Sequence, residues 1–389
     1  MLVAAADAQR WIPWMRRALQ LAALADGHTS PNPLVGAVVL DAAGQLVGEG
    51  FHARAGQPHA EVGALAQAGD AARGGTIVVT LEPCCHHGRT PPCADAVIAA
   101  GIQRVVVALT DPDPRVMGGG LQRLRDAGLE VISGVLEVEA AHQNRAFVHR
   151  VQTGRPWGVL KWAMGLDGRT ALSNGASQWI SGAPARAWVH QLRAGCDAVI
   201  VGGGTVRADN PLLTSRGRRG MEPLRVVLSR SLDLPESAQL WNQAVAPTLV
   251  AHGPEALAAA VDEAAASARW VALQRHGVAV QQLERCEPEA LLPELASRGC
   301  NRVLWECGPS LAAAALQQGC VQELAVVIAP KVMGGELART PLGDLGFTAM
   351  DQVVPVSLAA AKTLGQDLLL LRLVGARPIQ DGVTRGTRA

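Results

Sequence analysis

The order of apolar and polar residues predicts two successive segments in which helices and strands alternate. The first segment opens with apolar residues at helical spacing, Trp14, Ala18, Leu21, Ala22 and Ala25. Its strand-like runs are 35–40, 46–50, 77–80 and 104–109. Asp41-Ala42-Ala43-Gly44 separates the first two runs and is typical of a hairpin turn. With helices predicted to begin near residues 59 and 93, this pattern indicates a three-layer α/β/α sandwich.

A second alternating segment follows a polar, turn-forming stretch at residues 152–156. We predict a first domain over 11–150, a second over 155–375 and a polar tail over 376–389. The strands predicted in the second domain are 159–164, 198–201, 224–228, 248–251, 302–306 and 323–329. Helical patterns lie between several of these strands, so the second domain is also expected to be α/β.

Composition excludes several classes of protein. The chain has 389 residues, of which 49% are hydrophobic, which is enough for two or three domains with large cores. Its formal charge is +1 without blocks of like charge, so no nucleic-acid partner is expected. No apolar run reaches the length of a membrane span, and residues 1–10 lack the order of a signal peptide. Five of the eight cysteines are scattered singly, so we expect a cytoplasmic protein in a reducing compartment.

One group of residues in the first segment predicts a catalytic zinc site. His59, Cys84 and Cys93 supply three ligands of the kinds that zinc prefers, and Glu61 is a carboxylate free to move protons. His-x-Glu followed by Pro-Cys-x-x-Cys is the signature of zinc-dependent base deaminases. The residue types and their order fit that signature, but eight residues separate the two thiols here instead of two.

The local pattern supports the metal site. Gly56-Gln57-Pro58 interrupts the chain just before His59, so His59 and Glu61 are expected in the first turn of a helix. Cys93 follows two prolines and opens a second helix, whose dipole favours a thiolate. The alternative is that both cysteines are small core residues and that His59 caps a helix. Each residue taken singly favours that alternative, whereas the combination favours zinc.

Glycine clusters suggest a phosphate site in the second segment, although the Gly-x-Gly-x-x-Gly dinucleotide fingerprint is absent. Gly202-Gly203-Gly204 follows one predicted strand, and Gly308-Pro309-Ser310 follows another and opens a helix. Backbone amides at such a helix start can bind a pyrophosphate, but each cluster taken alone is more often a plain turn. The polar loop 205–216 after the first cluster is suggestive of a ligand pocket.

The motifs resemble those of the bifunctional riboflavin-biosynthesis deaminase–reductase family. In the first domain these are Ser30–Gly36, Pro58–Val62 and above all Thr80–Cys93, whose long cysteine spacing is that family's version of the deaminase motif. In the second domain they are Leu166–Arg169, Ser177–Ile180, Gly204–Val206, Asp209–Pro211, Leu213–Arg216 and Glu306–Pro309. The resemblance runs from about Trp14 to Val374 and is most specific in the first domain.

The resemblance implies two folds and two consecutive reactions. The first domain would be a cytidine-deaminase-like α/β/α sandwich that hydrolyses the 2-amino group of a diamino-ribosylaminopyrimidinone 5′-phosphate. The second would be a dihydrofolate-reductase-like α/β domain that uses NADPH to reduce the ribosyl group of the product to ribityl. We therefore expect Zn²⁺ and NADPH as cofactors, a small-molecule substrate and a homo-oligomer.

The resemblance also implies a role for individual residues. His59, Cys84 and Cys93 would hold zinc, and Glu61 would be the catalytic proton carrier. Positions matching cofactor contacts are Ala163, Trp179, Thr205, Asp209, Gly308, Pro309, Ser310, Leu311, Ala312, Ala313 and Ala314. Positions matching substrate contacts are Ser177, Arg193, Leu212, Arg216 and Glu306. An arginine suits the substrate phosphate because guanidinium binds such anions bidentately.

Four departures from the family pattern define the alternatives. Gly165 stands where the family usually has serine, and Ser229-Arg230 where it commonly has Asp-Ser. Arg230 would then contact a cofactor 2′-phosphate or lie solvated on the surface. Ala146 replaces a usual glycine, and Cys85 a common serine; we expect Cys85 to be unligated.

Two rival functions follow from these observations. One is a deaminase with a reductase-like domain that has lost activity, which the changes at Gly165 and Ser229 would mark. The other is a deaminase acting on bases in RNA or DNA. The near-zero charge, the absence of a basic stripe and the presence of a whole second domain disfavour that second rival.

Overall fold

The computed structural model describes residues 9–86, 91–114, 116–258 and 263–375 of the chain. Three parts of the sequence analysis lie outside these ranges: the beginning of the chain (1–8), the motif residues 87–90 and the predicted polar tail (376–389). Among the described helices, none combines the length and the apolar character that crossing a bilayer requires.

The first sheet has five strands, ordered β2-β1-β3-β4-β5. They are β1 (Gly36–Leu40), β2 (Leu46–Phe51), β3 (Thr76–Leu81), β4 (Arg104–Leu109) and β5 (Glu130–Ser133). β1 is antiparallel to β2 and β3, whereas β3, β4 and β5 run parallel. Strands β3 and β4 are rich in β-branched residues and are buried except at the two ends of β4, as expected where helices cover both faces.

Helices cover both faces of this sheet. They are α1 (Ile12–Ala23), α2 (Ala60–Ala68), α3 (Cys93–Ala99), α4 (Gly119–Asp126) and α5 (Glu137–Gln143). Ala64, Val97 and Leu124 place α2, α3 and α4 in the core on one face. Met15 and Ala140 place α1 and α5 in the core on the other. The predicted α/β/α sandwich is confirmed.

The second sheet has nine strands, ordered β10-β9-β8-β7-β11-β6-β12-β14-β13, and helix α6 (Arg145–Thr153) leads into it. Its strands are β6 (Trp157–Met164), β7 (Ala198–Gly202), β8 (Leu224–Leu228), β9 (Thr248–His252), β10 (Ala279–Gln282), β11 (Arg302–Trp305), β12 (Glu323–Ile328), β13 (Val356–Leu364) and β14 (Asp367–Val374). All pairs from β10 to β12 are parallel, and β14 joins β12 and β13 antiparallel.

The second domain also places helices on both faces of its sheet. They are α7 (Ala183–Ala194), α8 (Gly203–Asp209), α9 (Glu255–Ala258), α10 (Glu263–Arg275), α11 (Pro288–Ser297) and α12 (Pro309–Gln317). Leu295 and Leu316 bring α11 and α12 into one core, and Leu192, Val206 and Leu273 bring α7, α8 and α10 into the other. Because α8 and α12 follow β7 and β11 directly, their first turns meet at one edge of the sheet.

Candidate zinc and reductase sites

The three predicted zinc ligands converge in the first domain. His59 lies immediately before α2, Cys84 lies just beyond β3, and Cys93 is the first residue of α3. The Nδ1 atom of His59 is 3.2 Å from Cys93 Sγ and 3.8 Å from Cys84 Sγ. All three ligand atoms lie within 4.8 Å of one another.

This donor set fits a tetrahedral zinc ion. Bonds of about 2.3 Å to sulfur and about 2.0–2.1 Å to nitrogen place neighbouring ligand atoms about 3.6 Å apart, close to the observed separations. The backbone amide of Cys93 donates to Cys84 Sγ at 3.3 Å. Hydrogen bonding to Cys93, together with His59, lowers the pKa of the Cys84 thiol to about 4. Two thiols and one imidazole also leave a fourth position for water, as in catalytic zinc sites.

Glu61 lies beside this group, in the first turn of α2. Its side chain is buried, and burial raises the pKa of its carboxyl group to about 7. Oε2 of Glu61 has no hydrogen-bond partner among the described residues. A carboxyl group that binds and releases a proton near neutral pH is suited to general acid–base catalysis.

A cavity of about 740 Å³ opens onto Glu61 and two of the predicted zinc ligands, His59 and Cys84. Asn32 and His52 also line it, although neither was singled out from the sequence. Nδ1 of His52 is 3.1 Å from the carbonyl of Pro58, which can only accept, so Nδ1 carries the proton. Nε2 then accepts from the amide of Asn32 at 3.0 Å. Asn32 belongs to the Ser30–Gly36 motif, which was the available signal for this wall of the cavity.

Two acidic residues, Glu82 and Asp111, also line this cavity. Glu82 accepts hydrogen bonds from the backbone amides of Asp111, Gly118, Gly120 and Leu121, at 2.9–3.1 Å, and so fixes the loop between β4 and α4. Asp111 is buried, and burial raises the pKa of its carboxyl group to about 6. Burial is the largest cause of this rise, to which the charges of Asp113 and Glu82 also contribute; the hydrogen bond from the Asp113 amide and the charge of His86 oppose it.

The second cavity, of about 570 Å³, lies at the carboxyl ends of β6, β7 and β11. In parallel sheets this edge is the usual position of a ligand site. The predicted residues that line it are Ala163, Ser177, Thr205, Asp209, Glu306, Gly308, Pro309, Ser310 and Leu311. Both glycine clusters therefore meet at one cavity, although they are about 100 residues apart in the sequence.

The other predicted residues of this domain lie around the cavity. Ala312, Ala313 and Ala314 continue α12, and the first two are packed in the core. Trp179 is 62% exposed, with the guanidinium carbon of Arg186 4.6 Å from its ring centre. Leu212 and Arg216 are exposed and do not belong to the cavity lining.

Arg193 is joined to the cavity through Glu306. Its guanidinium donates to both Glu306 oxygens, at 2.6 and 3.0 Å, and Lys161 Nζ is 3.8 Å from Oε2. Burial alone would raise the pKa of Glu306, but the charges of Arg193 and Lys161 outweigh it and lower that pKa to about 2. Lys161 was not predicted; a lysine within the apolar strand β6 was the signal that could have found it.

The structure shows the surroundings of Gly165 and Ser229-Arg230, the positions in this domain that differ from the family pattern. At Gly165 an added Cβ would lie 2.7 Å from the carbonyl oxygen of Lys331, which already accepts a hydrogen bond from Leu166. Serine would therefore require a backbone shift at this position, and glycine is the residue that fits. Ser229 is buried at the end of β8, whereas Arg230 is exposed and is not among the residues lining the cavity.

The two halves define the class of protein: a zinc-binding deaminase sandwich joined to a reductase domain. Residues 10–109 match the family model of the cytidine and deoxycytidylate deaminase zinc-binding region. Residues 156–370 match the RibD C-terminal domain. The chain belongs to the RibD family of bifunctional deaminase–reductases, which confirms the predicted family and supports the bifunctional prediction over the deaminase-only alternative.

Individual relatives match across both domains. A riboflavin biosynthesis protein RibD from Synechocystis is 49% identical over 356 residues, covering 91% of this chain and 94% of the relative. The Escherichia coli RibD is 41% identical over 367 residues, covering 93% and 99%. Acinetobacter baumannii RibD, form 1, has a TM-score of 0.84 at 39% identity, covering 95% of this chain and 100% of that one. A Thermotoga maritima diaminohydroxyphosphoribosylaminopyrimidine deaminase/5-amino-6-(5-phosphoribosylamino)uracil reductase has a TM-score of 0.82 at 33% identity, covering 95% and 100%.

Proposed function

We propose that the first domain deaminates a diamino-ribosylaminopyrimidinone 5′-phosphate and that the second reduces the ribosyl group of its product with NADPH. The observation that carries the first half is the convergence of His59, Cys84 and Cys93 beside the buried Glu61. The name of the Thermotoga maritima relative supports this substrate, and the two separate cavities provide a place for each reaction.

In the deaminase cavity, Glu61 is the proton carrier. A zinc ion bound by the three ligands would supply Lewis acidity and lower the pKa of water. The Glu61 carboxylate takes a proton from the attacking water and returns it to the amino group that leaves as ammonia. Glu61 is buried and its Oε2 has no hydrogen-bond partner among the described residues, so its carboxylate is free to carry a proton between the water and the leaving amino group. His52 and Asn32 form the wall against which the pyrimidine ring is held.

In the reductase cavity, this chain's residues position the reactants. NADPH supplies the hydride, and Thr205, Asp209 and the first turn of α12 are proposed to bind it, because backbone amides at a helix start favour phosphate. Glu306, fixed by Arg193 and Lys161, is proposed to hold the substrate. Arg216 forms no ion pair within the described residues and is proposed to bind the substrate phosphate. We also propose, from the family resemblance, that Trp179 and Ala312–Ala314 contact the cofactor and that Leu212 contacts the substrate.

Substitution of Glu61 tests the deaminase assignment. We expect Glu61→Gln to retain zinc, because the ligands are unchanged, and to slow ammonia release at least 10²-fold, because the proton carrier is lost. Zinc content and ammonia release are measured on the same preparation. Glu49→Gln is the matched control, since Glu49 pairs with Arg17 at the surface, outside the cavity lining. Ammonia release by Glu61→Gln at the wild-type rate would refute the assigned role.

Assembly and location stay predictions. We expect a homo-oligomer in the cytoplasm with a small molecule as its principal partner. Light scattering of the purified chain measures its mass in solution, and a mass equal to one chain would contradict the oligomer.

A further inference from the structure

The loop that forms one wall of the deaminase cavity is held by the second domain. Ser30, Pro31, Asn32 and Pro33 of this loop follow α1, and the last three line the cavity that contains Glu61. On the other side of the loop lie Asp197 and Asn301. These two residues directly precede the neighbouring parallel strands β7 and β11.

Asn301 is buried and provides most of the contacts. Its amide nitrogen lies 3.2 Å from Ser30 Oγ, 3.2 Å from the carbonyl oxygen of Pro31 and 3.4 Å from that of Asn32. Its amide oxygen accepts from Arg150 Nε at 2.5 Å, and Arg150 Nη2 also donates to the Pro31 carbonyl at 2.9 Å. The loop backbone is thus fixed from two directions.

Asp197 completes the attachment. Its Oδ2 accepts from Ser30 Oγ at 2.9 Å and from the backbone amides of Asn301 and Arg302 at 2.8 and 3.0 Å. The Ser30 hydroxyl donates to Asp197 and accepts from Asn301, which uses its single proton and one lone pair without conflict. The two domains also pack closely beside this loop, because a Cβ at Gly27 would lie 2.2 Å from the carbonyl oxygen of Ala194 in the second domain.

We propose that Asn301 and Asp197 of the reductase domain are positioning residues for the deaminase. They act through loop 30–33, which carries the Asn32 amide to His52 in the deaminase cavity. The carboxyl edge of the second sheet thus holds the reductase cavity, and its amino edge holds the substrate wall of the deaminase. This inference rests on the deaminase activity proposed above.

The test is the deaminase kinetics of Asn301→Ala. We expect kcat/KM for ammonia release to fall about tenfold, mainly through a higher KM, because a displaced cavity wall weakens substrate positioning rather than proton transfer. Zinc content should be unchanged. NADPH oxidation on the deaminated product, supplied directly, should stay within about twofold of wild type, since neither Asn301 nor the loop lines the reductase cavity.

A double-mutant cycle separates this role from a structural one. If Asn301 acts through Asn32, Asn301→Ala combined with Asn32→Ala should deaminate as slowly as Asn32→Ala alone. Losses that multiply would overturn the proposal. Ser30→Ala removes the hydroxyl that contacts Asn301 and Asp197 and should raise the deaminase KM about threefold. If Asn301→Ala does not fold, Ser30→Ala provides the test, and an unchanged KM in that variant overturns the proposal.

Arg145→Ala is the matched control for loosening of the two domains. Arg145 also joins them, by an ion pair of 3.0 Å to Glu323, but its hydrogen bonds go to Glu323 and His142 and not to the loop. The deaminase KM of Arg145→Ala should equal that of wild type. Equal losses in Arg145→Ala and Asn301→Ala would overturn the proposal. A wild-type chain that releases no ammonia would refute the proposed function itself, whereas wild-type kinetics in Asn301→Ala would refute this inference alone.

Discussion

The zinc site and the reductase cavity are built in different ways. His59, Glu61, Cys84 and Cys93 all come from one stretch of the chain and meet through two helix starts and one strand end. The reductase cavity draws on residues from 161 to 341, spread over three strands and several loops. A metal site of this kind is specified by local spacing, whereas a binding cleft is specified by how distant segments pack.

The largest expected effect is the loss of the deaminase activity alone. Cys93→Ala removes a proposed zinc ligand that is buried and whose Sγ lies 3.2 Å from His59 Nδ1, so zinc binding and ammonia release should both be lost, the latter by more than about 10³-fold. NADPH oxidation on the deaminated product should persist. Cys300→Ala is the control: Cys300 is a buried cysteine in the core of the second domain that contains Leu295 and Leu316, and this variant should keep zinc. Joint loss of both activities in Cys93→Ala would show that the sites are not separate.

A substitution in the reductase cavity should impair the reductase activity alone. Glu306→Gln leaves Arg193 and Lys161 without their carboxylate, so reduction should slow about 10²-fold while ammonia release continues. Both reactions are followed on the same preparation. Glu289→Gln is the control, because Glu289 also pairs with an arginine, Arg155, but does not belong to the cavity lining. Equal NADPH oxidation by the two variants would contradict the role of Glu306.

The smallest expected effect is on the stability of the first domain and comes from Asp111, which lines the deaminase cavity. The folded pKa of Asp111 is raised to about 6 from 3.8, so its contribution to stability is present below about pH 4 and is lost as the pH rises through 6. Asp111→Asn should therefore raise the free energy of unfolding by about 1–2 kcal/mol at pH 7.5, an advantage that vanishes near pH 4. Urea unfolding at the two pH values measures it. The exposed Asp126→Asn serves as control, and no gain at pH 7.5 would contradict the burial cost.

The same contrast explains how far the sequence predicts the structure. The sandwich follows from hydrophobic spacing, and the convergence of His59, Cys84 and Cys93 follows from one motif. Strand β13 was missed, since its alanines favour helix and its residues are exposed, so neither propensity nor alternation marks it.

Asn32, Lys161 and Asn301 were missed as functional residues for another reason. Each lies outside the zinc motif, and its role depends on the residues that it contacts: His52 for Asn32, Glu306 for Lys161, and loop 30–33 for Asn301. Leu212 and Arg216 were predicted to contact the substrate, but both are exposed. A match to a family identifies a position in the chain, but not the residues that this position contacts.

One measurement tests the central claim, that one chain carries out two consecutive reactions. Ammonia and NADPH oxidation are followed together on the diaminopyrimidinone ribosyl phosphate with the zinc-loaded chain. We predict that ammonia appears first and that one NADPH is finally consumed for each ammonia released. Ammonia without NADPH oxidation, or neither product, would contradict the account.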